Sequence, residues 1–352
     1  MSSSILPFVY MAKHDISSTA VSTTFSNVWD ENTGGTGAIK LHLQEIVALT
    51  HGSLESNRWA VKQAAAITLA NACTSLGNSI TTDNVDIIYP AMVSALGGKS
   101  WDGKEKVLEG YVELIGNSRG TLDGRREAEA KRIVLREARR NNKAYQAQAM
   151  KSLGAFAGLM EEMNLFDEIL GIVNTALGEA DEAEKTSWED KMDLDEKAEK
   201  SVRSSKHTIY LHSIEALARA FRPKFEHSEE NLLKAFQYVE KPPKYLQVNY
   251  EIKLAQASAV EALTSRLTFP PKGAVLLRIW EFSLPLASDR GSEKLRTTII
   301  KGGMSNVAKL VGALVENEID VKRSVKHDLE VLAKDERVLP LKAVLENASR
   351  GL

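Results

Sequence analysis

The stretch KSWDGKEKVLEGYVELIG (residues 99–116) decides the fold. Its apolar residues Val107, Tyr111, Leu114 and Ile115 fall at offsets of 0, 4, 7 and 8, the spacing of one face of an α-helix. A bulky anchor, Trp101, stands ahead of that face in a polar setting. The same text recurs on both sides. Upstream it is NRWAVKQAAAITLANA (57–72), and downstream NKAYQAQAMKSLGAFAGL (142–159) and KHTIYLHSIEALARAF (206–221). YLQVNYEIKLAQASAVEALTSRL (245–267) and SEKLRTTIIKGGMSNVAKLV (292–311) complete the set. Trp59 to Trp101 is 42 residues, Trp101 to Tyr145 is 44, Thr208 to Val248 is 40 and Val248 to Leu295 is 47.

Each interval leaves room for one more helix, at 83–97, 122–141, 165–177, 226–240 and 271–287. No stretch of similar length alternates with period two. The expectation is an all-α chain of the HEAT/armadillo type, about six helix pairs forming an α-α superhelix over 39–352. One pair cannot bury its apolar stripe alone, so stacking supplies the core. An irregular bundle with evenly spaced helices is the competing reading, and the agreement of anchor and period argues against it. Trp59 and Trp101 are expected to lie buried between repeats.

Two segments depart from the rhythm. Residues 1–38 lack a helical period and carry a Ser/Thr-rich run (Ser17–Ser26) and glycines at 34, 35 and 37. They read as an extended lead-in. The apolar opening ILPFVYMA suggests the edge of a longer chain. Tyr145 to Thr208 spans 63 residues, about one helix too many, and the surplus is 178–205. Within it, 179–200 holds ten acidic residues against four lysines. It reads as a disordered acidic insertion, either solvated and dispensable for the fold or a docking strip for a basic partner with Trp188 as anchor.

Residues 119–143 have the opposite sign, nine basic against four acidic residues. Arg125, Arg132, Arg136 and Arg139 share one side of a helix there. They are the candidate partner-binding residues, together with Trp188. The alternative is a solvated face that pairs with the acidic insertion.

Over the whole chain the charges nearly cancel, with 45 Lys+Arg against 47 Asp+Glu. A nucleic-acid or polybasic membrane binder is therefore not expected. No apolar run approaches the ~20 residues that cross a bilayer. Cys73 is the single cysteine, which suits a reducing compartment and a buried apolar position rather than a nucleophile. The seven histidines include no pair at the helical spacing that joins two imidazoles on one metal. TGGTGAIK lacks phosphate-loop spacing and reads as a hinge or turn. Gly302–Gly303 reads as a close helix contact or a kink. The residues give no catalytic constellation, and no cofactor, metal or small-molecule substrate is expected.

One resemblance adds a role. VWDENTGGTGAIKLHLQEIVALTHGSLESNRWAVKQAAAITLANA (28–72) followed by LGGKSWDGKEKVLEGYVELIG (96–116) resembles the C-terminal region of the large HEAT-repeat proteasome adaptor and scaffold family. Trp29, Glu31, Asn32, Gly34, Gly35, Leu41, Leu43, Gln44 and Glu45 match its lead-in, and Trp101, Gly103, Lys104, Glu105 and Leu108 its second string. The likeness is strongest in the first third and looser beyond residue 160. It implies a non-enzymatic scaffold, cytoplasmic and nuclear, that bridges the proteasome core particle and its regulatory particle and serves assembly quality control. The period alone would equally suit a transport receptor or a phosphatase scaffold. The motif residues themselves look like packing and turn positions.

Overall fold

The computed structural model describes the backbone of residues 2–33, 35–187, 196–315 and 318–352, and the side chains of 5–33, 35–178, 204–315 and 318–352. The described residues are helical, without a strand among them. They form two units, 1–159 and 160–352.

The first unit contains α1 (Ser2–Ala12), α2 (Thr19–Asn32), α3 (Thr36–Leu41), α4 (Leu43–Leu54), α5 (Trp59–Leu76), α6 (Thr82–Ala95), α7 (Lys104–Asn117), α8 (Gly124–Ala138) and α9 (Lys143–Leu159). Pairs α4/α5, α6/α7 and α8/α9 each pack as hairpins, and the second helices α5, α7 and α9 stack in order. The second unit contains α10 (Phe166–Ser187), α11 (Glu196–Ala220), α12 (Ser228–Glu240), α13 (Tyr250–Thr264), α14 (Gly273–Ala287), α15 (Glu293–Thr298), α16 (Ser305–Gly312), α17 (Ile319–Asp335) and α18 (Leu339–Arg350). A π-helical segment, Ile299–Met304, joins α15 to α16 as one helix. Here α11, α13, the π segment and α18 stack in the same manner. From residue 39 on, the pairs number seven among the described residues, one more than expected, because α17/α18 form a further hairpin.

The repeat period is written into the tertiary hydrogen bonds. Arg126 reaches Asp86, Tyr89 reaches Glu129 and Arg136 reaches the Leu96 carbonyl, each over 40 residues. In the second unit Arg278 bonds Glu240 over 38 residues and Asn306 bonds Thr264 over 42. Where the acidic insertion intervenes, the offsets rise to 61 for Arg222–Glu161 and 62 for Lys224–Glu162. Equivalent positions thus still meet across the surplus.

Three expectations are corrected. Within 1–38, Ser2–Ala12 and Thr19–Asn32 are helices rather than an extended lead-in, and Thr36 opens a third. Ser18 caps α2 by accepting from the Val21 N–H (3.3 Å), and Asp15 Oδ1 accepts from the Ser17 N–H (2.6 Å). Tyr10 and Trp29 are buried with ring centroids 4.6 Å apart. The apolar opening is partly covered by α2, α4 and α5, a tertiary contact that overrides weak local propensity.

The insertion 178–205 is not wholly a loop. α10 continues to Ser187 and α11 begins at Glu196, so helix enters it from both ends. Residues 188–195, including the candidate anchor Trp188, lie outside the described residues.

Trp59 is not a buried anchor. It is the first residue of α5 and 54% exposed. Its ring centroid lies 6.5 Å from that of Trp101 with the planes tilted by 42°, and Lys62 Nζ covers the Trp101 ring at 4.7 Å. The core face of α5 begins at Ala64 and runs through Leu69, Cys73 and Leu76. Burial pushes the Cys73 thiol far up, so it stays protonated and inert.

Gly302 and Gly303 do mark a close approach. A Cβ at Gly303 would stand 2.7 Å from Val260 Cγ1 on α13. They lie in the π segment, where the Ser305 hydroxyl donates to the Ile300 carbonyl (2.7 Å). Such a bulge is where a helix changes register.

Candidate interaction surfaces

The Trp-Asp-Gly-Lys-Glu string opens α7. Gly103 adopts φ +107°, and a Cβ there would stand 2.8 Å from Gln63 Cγ and 3.0 Å from Trp101 Cζ3. Only glycine fits both the left-handed backbone and the space. The Gly103 N–H donates to Glu105 Oε2 (2.9 Å), as an N-terminal carboxylate does for free helix amides. The next residue, Lys104, is fully buried. Its Nζ donates to the carbonyls of Gly97 (3.1 Å) and Gly98 (3.4 Å) and pairs with Glu137 of α8 at 3.2 Å.

Glu137 is equally buried and serves several donors. It accepts from Arg136 Nε (2.8 Å), Arg140 Nη2 (2.9 Å) and the Tyr145 hydroxyl (2.9 Å). Burial alone would raise its carboxyl. The hydrogen bonds from Arg140, Tyr145 and Arg136 and the charge of Lys104 outweigh that and hold it below the ordinary carboxylate range. Burial also lowers Lys104, against the pull of Glu137. The motif is thus a connector between successive repeats, in keeping with its reading as packing and turn positions.

The same connector recurs. A cation in the first turn of a pair's second helix meets an acid at the end of the next pair's first helix. Lys253 of α13 pairs with Asp289 at 2.7 Å, and Arg296 of α15 pairs with Glu336 at 3.0 Å. Sequence reading missed all three pairs, because their members lie 33 to 40 residues apart. No fixed spacing announces them, since the cations follow their anchors by 3, 5 and 1 residues (Trp101 to Lys104, Val248 to Lys253, Leu295 to Arg296).

Of the candidate binding arginines, Arg125, Arg132 and Arg136 lie on α8 and Arg139 is its C-cap. Asp123 caps this helix by accepting from the Arg126 N–H (2.8 Å). Ala130, Ile133, Val134 and Ala138 face inward, which leaves Arg125, Arg132, Arg136 and Arg139 exposed together. Their common face is as expected, but their roles differ. Arg136 donates through Nη2 to the Leu96 carbonyl (2.8 Å) and through Nε to Glu137, so it ties repeats together. Arg132 leans on Glu129 of its own helix at 3.4 Å. Arg125 and Arg139 make no ion pair among the described residues. Off that face, Arg126 pairs with Asp86 at 2.5 Å. That hydrogen bond raises the Arg126 guanidinium further.

No group of three or more His, Cys, Asp and Glu side chains gathers around a metal-sized site among the described residues. No described helix is long and apolar enough to cross a membrane.

Stacked helix pairs with a 40-residue hydrogen-bond period, joined by recurring cation–acid connectors, define an armadillo-like helical-repeat protein. A solved structure of an engineered protein shares this fold, with a TM-score of 0.53 at 14% identity over 90% of this chain and 70% of that one. Residues 121–350 match the family model described as ECM29, C-terminal ARM-like repeats, and the chain belongs to that family.

The Schizosaccharomyces pombe protein named proteasome component ecm29 is 27% identical over 233 residues, which are 66% of this chain and 13% of that protein. The Homo sapiens proteasome adapter and scaffold protein ECM29 is 29% identical over 117 residues, 32% of this chain and 6% of that protein. The chain therefore spans a small part of the length of these relatives. The family match lies over 121–350, most of it in the part of the chain where the likeness was expected to be looser.

Proposed function

We propose that this chain is a scaffold module that works by contact rather than by catalysis, and that its partner is the proteasome. The observation that carries this reading is membership in the ECM29 C-terminal repeat family, whose relatives are named as proteasome component and as proteasome adapter and scaffold. In the finer form of the proposal the full protein bridges the core particle and the regulatory particle, contributes to assembly quality control, and does so in cytoplasm and nucleus. The fold supports such a role physically. Stacked pairs offer a long surface on which many weak contacts add up, so that two partners are held at once. On α8 and its C-cap, Arg125 and Arg139 are the exposed cations we assign to an acidic partner surface; Arg132 and Arg136 are already engaged within the fold.

The test is affinity purification of the full-length protein under conditions that keep the proteasome assembled, followed by crosslinking mass spectrometry. Core and regulatory subunits should be recovered, with crosslinks to lysines of this chain. Recovery of a cargo or a phosphatase in their place would move the assignment to another class of repeat adaptor.

A further inference from the structure

A second charged feature lies in the second unit, remote in sequence from the arginines of α8. The C-terminal end of α11 presents the carbonyls of residues 218, 219 and 221, and two arginines converge on them. Arg266 Nη1 donates to the Ala218 (3.2 Å), Arg219 (2.5 Å) and Phe221 (3.0 Å) carbonyls. Arg222, only 9% exposed, donates through Nη1 to the Phe221 carbonyl (2.9 Å) and through Nε to the Glu161 carbonyl (3.4 Å). Backbone carbonyls complement a guanidinium only in part, since they carry partial charge and it carries a full one. Arg266 has no carboxylate within ion-pair distance among the described residues, and its bonds engage one of its three nitrogens. Burial and the neighbouring Arg222 charge push it down to about 10, the mark of a cation short of counter-charge.

These guanidiniums line an open cavity of about 490 Å³. Two apolar residues, Pro223 and the 74% exposed Phe269, also line it. Lys224, a further lining residue, is already paired with Glu162 at 2.7 Å. We propose that this cavity is a docking site for an acidic peptide segment of a partner protein, in which a Glu side chain reaches Arg266 and an adjacent apolar side chain packs on Phe269. Charge complementarity selects the carboxylate, because the cavity holds a recessed, incompletely neutralised cation. A side chain suits the recess better than a main-chain terminus, since it carries its carboxylate out on a methylene stem. A phosphate dianion suits it less, because the Glu161 carboxylate also faces the cavity and acts on both arginines. This goes beyond the proteasome reading and does not depend on it.

The test uses the 352-residue chain and a fluorescein-labelled, C-amidated peptide containing Phe-Glu between glycines, read by fluorescence anisotropy. The expected result is saturable binding that falls about tenfold or more when Glu is replaced by Gln, the range of a lost charge-assisted hydrogen bond. Arg266→Gln should do the same. That variant also loses part of the α11 cap, so two rim variants keep the result readable. Phe269→Ala and Thr268→Glu both alter exposed positions, should leave the melting curve in place, and should weaken binding, the second by placing a competing carboxylate at the mouth. Equal binding of the Gln peptide, no binding at millimolar protein, or indifference to both rim variants would overturn the proposal. So would tighter binding of a Phe-Gln peptide with a free C-terminus, or displacement of the Glu peptide by inorganic phosphate at lower concentration than by acetate. Because the probe is a synthetic peptide, failure here leaves proteasome recovery by the full-length protein a separate question.

Discussion

Lys104–Glu137 in the first unit and Arg296–Glu336 in the second occupy equivalent places in their repeats but are satisfied in different ways. Lys104 and Glu137 are both fully buried, and every partner of the carboxylate is a side chain. Glu336 keeps slight contact with water and accepts from the backbone N–H groups of Arg337 (2.8 Å) and Val338 (2.9 Å) as well as from Arg296. The Lys253–Asp289 pair is the most open, with side chains 38% and 22% exposed. The series shows what an ion pair needs as water is withdrawn. At the surface one side chain and one backbone N–H are enough, as Lys253 and Gly291 serve Asp289, near the surface a second backbone N–H joins, and in the interior the carboxylate takes four side-chain donors. Taking two charges out of water costs more than their mutual attraction returns unless the remaining hydrogen-bonding capacity is filled.

The strongest attempt to break this ranking is Glu137→Ala. It leaves Lys104 buried and uncompensated and should cost about 3–5 kcal/mol in denaturant unfolding. The double replacement Lys104→Met with Glu137→Leu should recover only part of that loss, because it removes both buried charges but leaves the Tyr145 hydroxyl and Arg140 without their acceptor. Arg296→Met should cost less, about 1.5–3 kcal/mol, since Glu336 keeps its two backbone donors. A loss equal to that of Glu137→Ala would show that depth does not set the order.

Acid sharpens the same contrast. Glu137, Glu336 and Asp289 are all held below their ordinary values, the first two against the opposing effect of burial and Asp289 chiefly through its hydrogen bond from Lys253. Each therefore contributes stability that is complete above the ordinary carboxylate range and lost as pH falls through the depressed folded value. Urea midpoints should fall below about pH 4.5, where Glu normally titrates. The Lys104→Met, Glu137→Leu protein should show a shallower fall.

Trp59→Ala should cost only about 0.5–1.5 kcal/mol, the range of a single aromatic pair, because the ring lies on the surface against Trp101. A loss of several kcal/mol would restore it as a core anchor. Asp289→Asn stands last, at about 0.2–1 kcal/mol, as for exposed pairs. Its effect should diminish in high salt, whereas that of Glu137→Ala should persist.

Much of the fold was legible because the repeat is built from residue type at fixed spacing. Leu69, Tyr111, Leu153 and Leu217 can be placed on inward faces from the helical period alone, and all are buried. The local text misled where packing rather than composition decides. Ser17 to Ser26 reads as non-helical, yet Thr19–Asn32 is a helix because Ser18 caps it and Trp29 is covered. Acidic composition reads as loop at 178–205, yet two helices enter that segment. On α8 the shared arginine face was legible, and the commitment of Arg136 to the preceding repeat was not, since its acceptor is a backbone carbonyl 40 residues away.

The sequence by itself determined the helical class, the period near 40 residues and the paired arrangement, because these follow from side-chain periodicity, which is a local property. Tertiary structure alone decided which cations meet which acids, that Trp59 faces outward, and that Arg266 lies over a helix end without a carboxylate. Those outcomes depend on how far each group is removed from water and on what the neighbouring repeat places opposite it. Neither quantity is carried by any single stretch of chain.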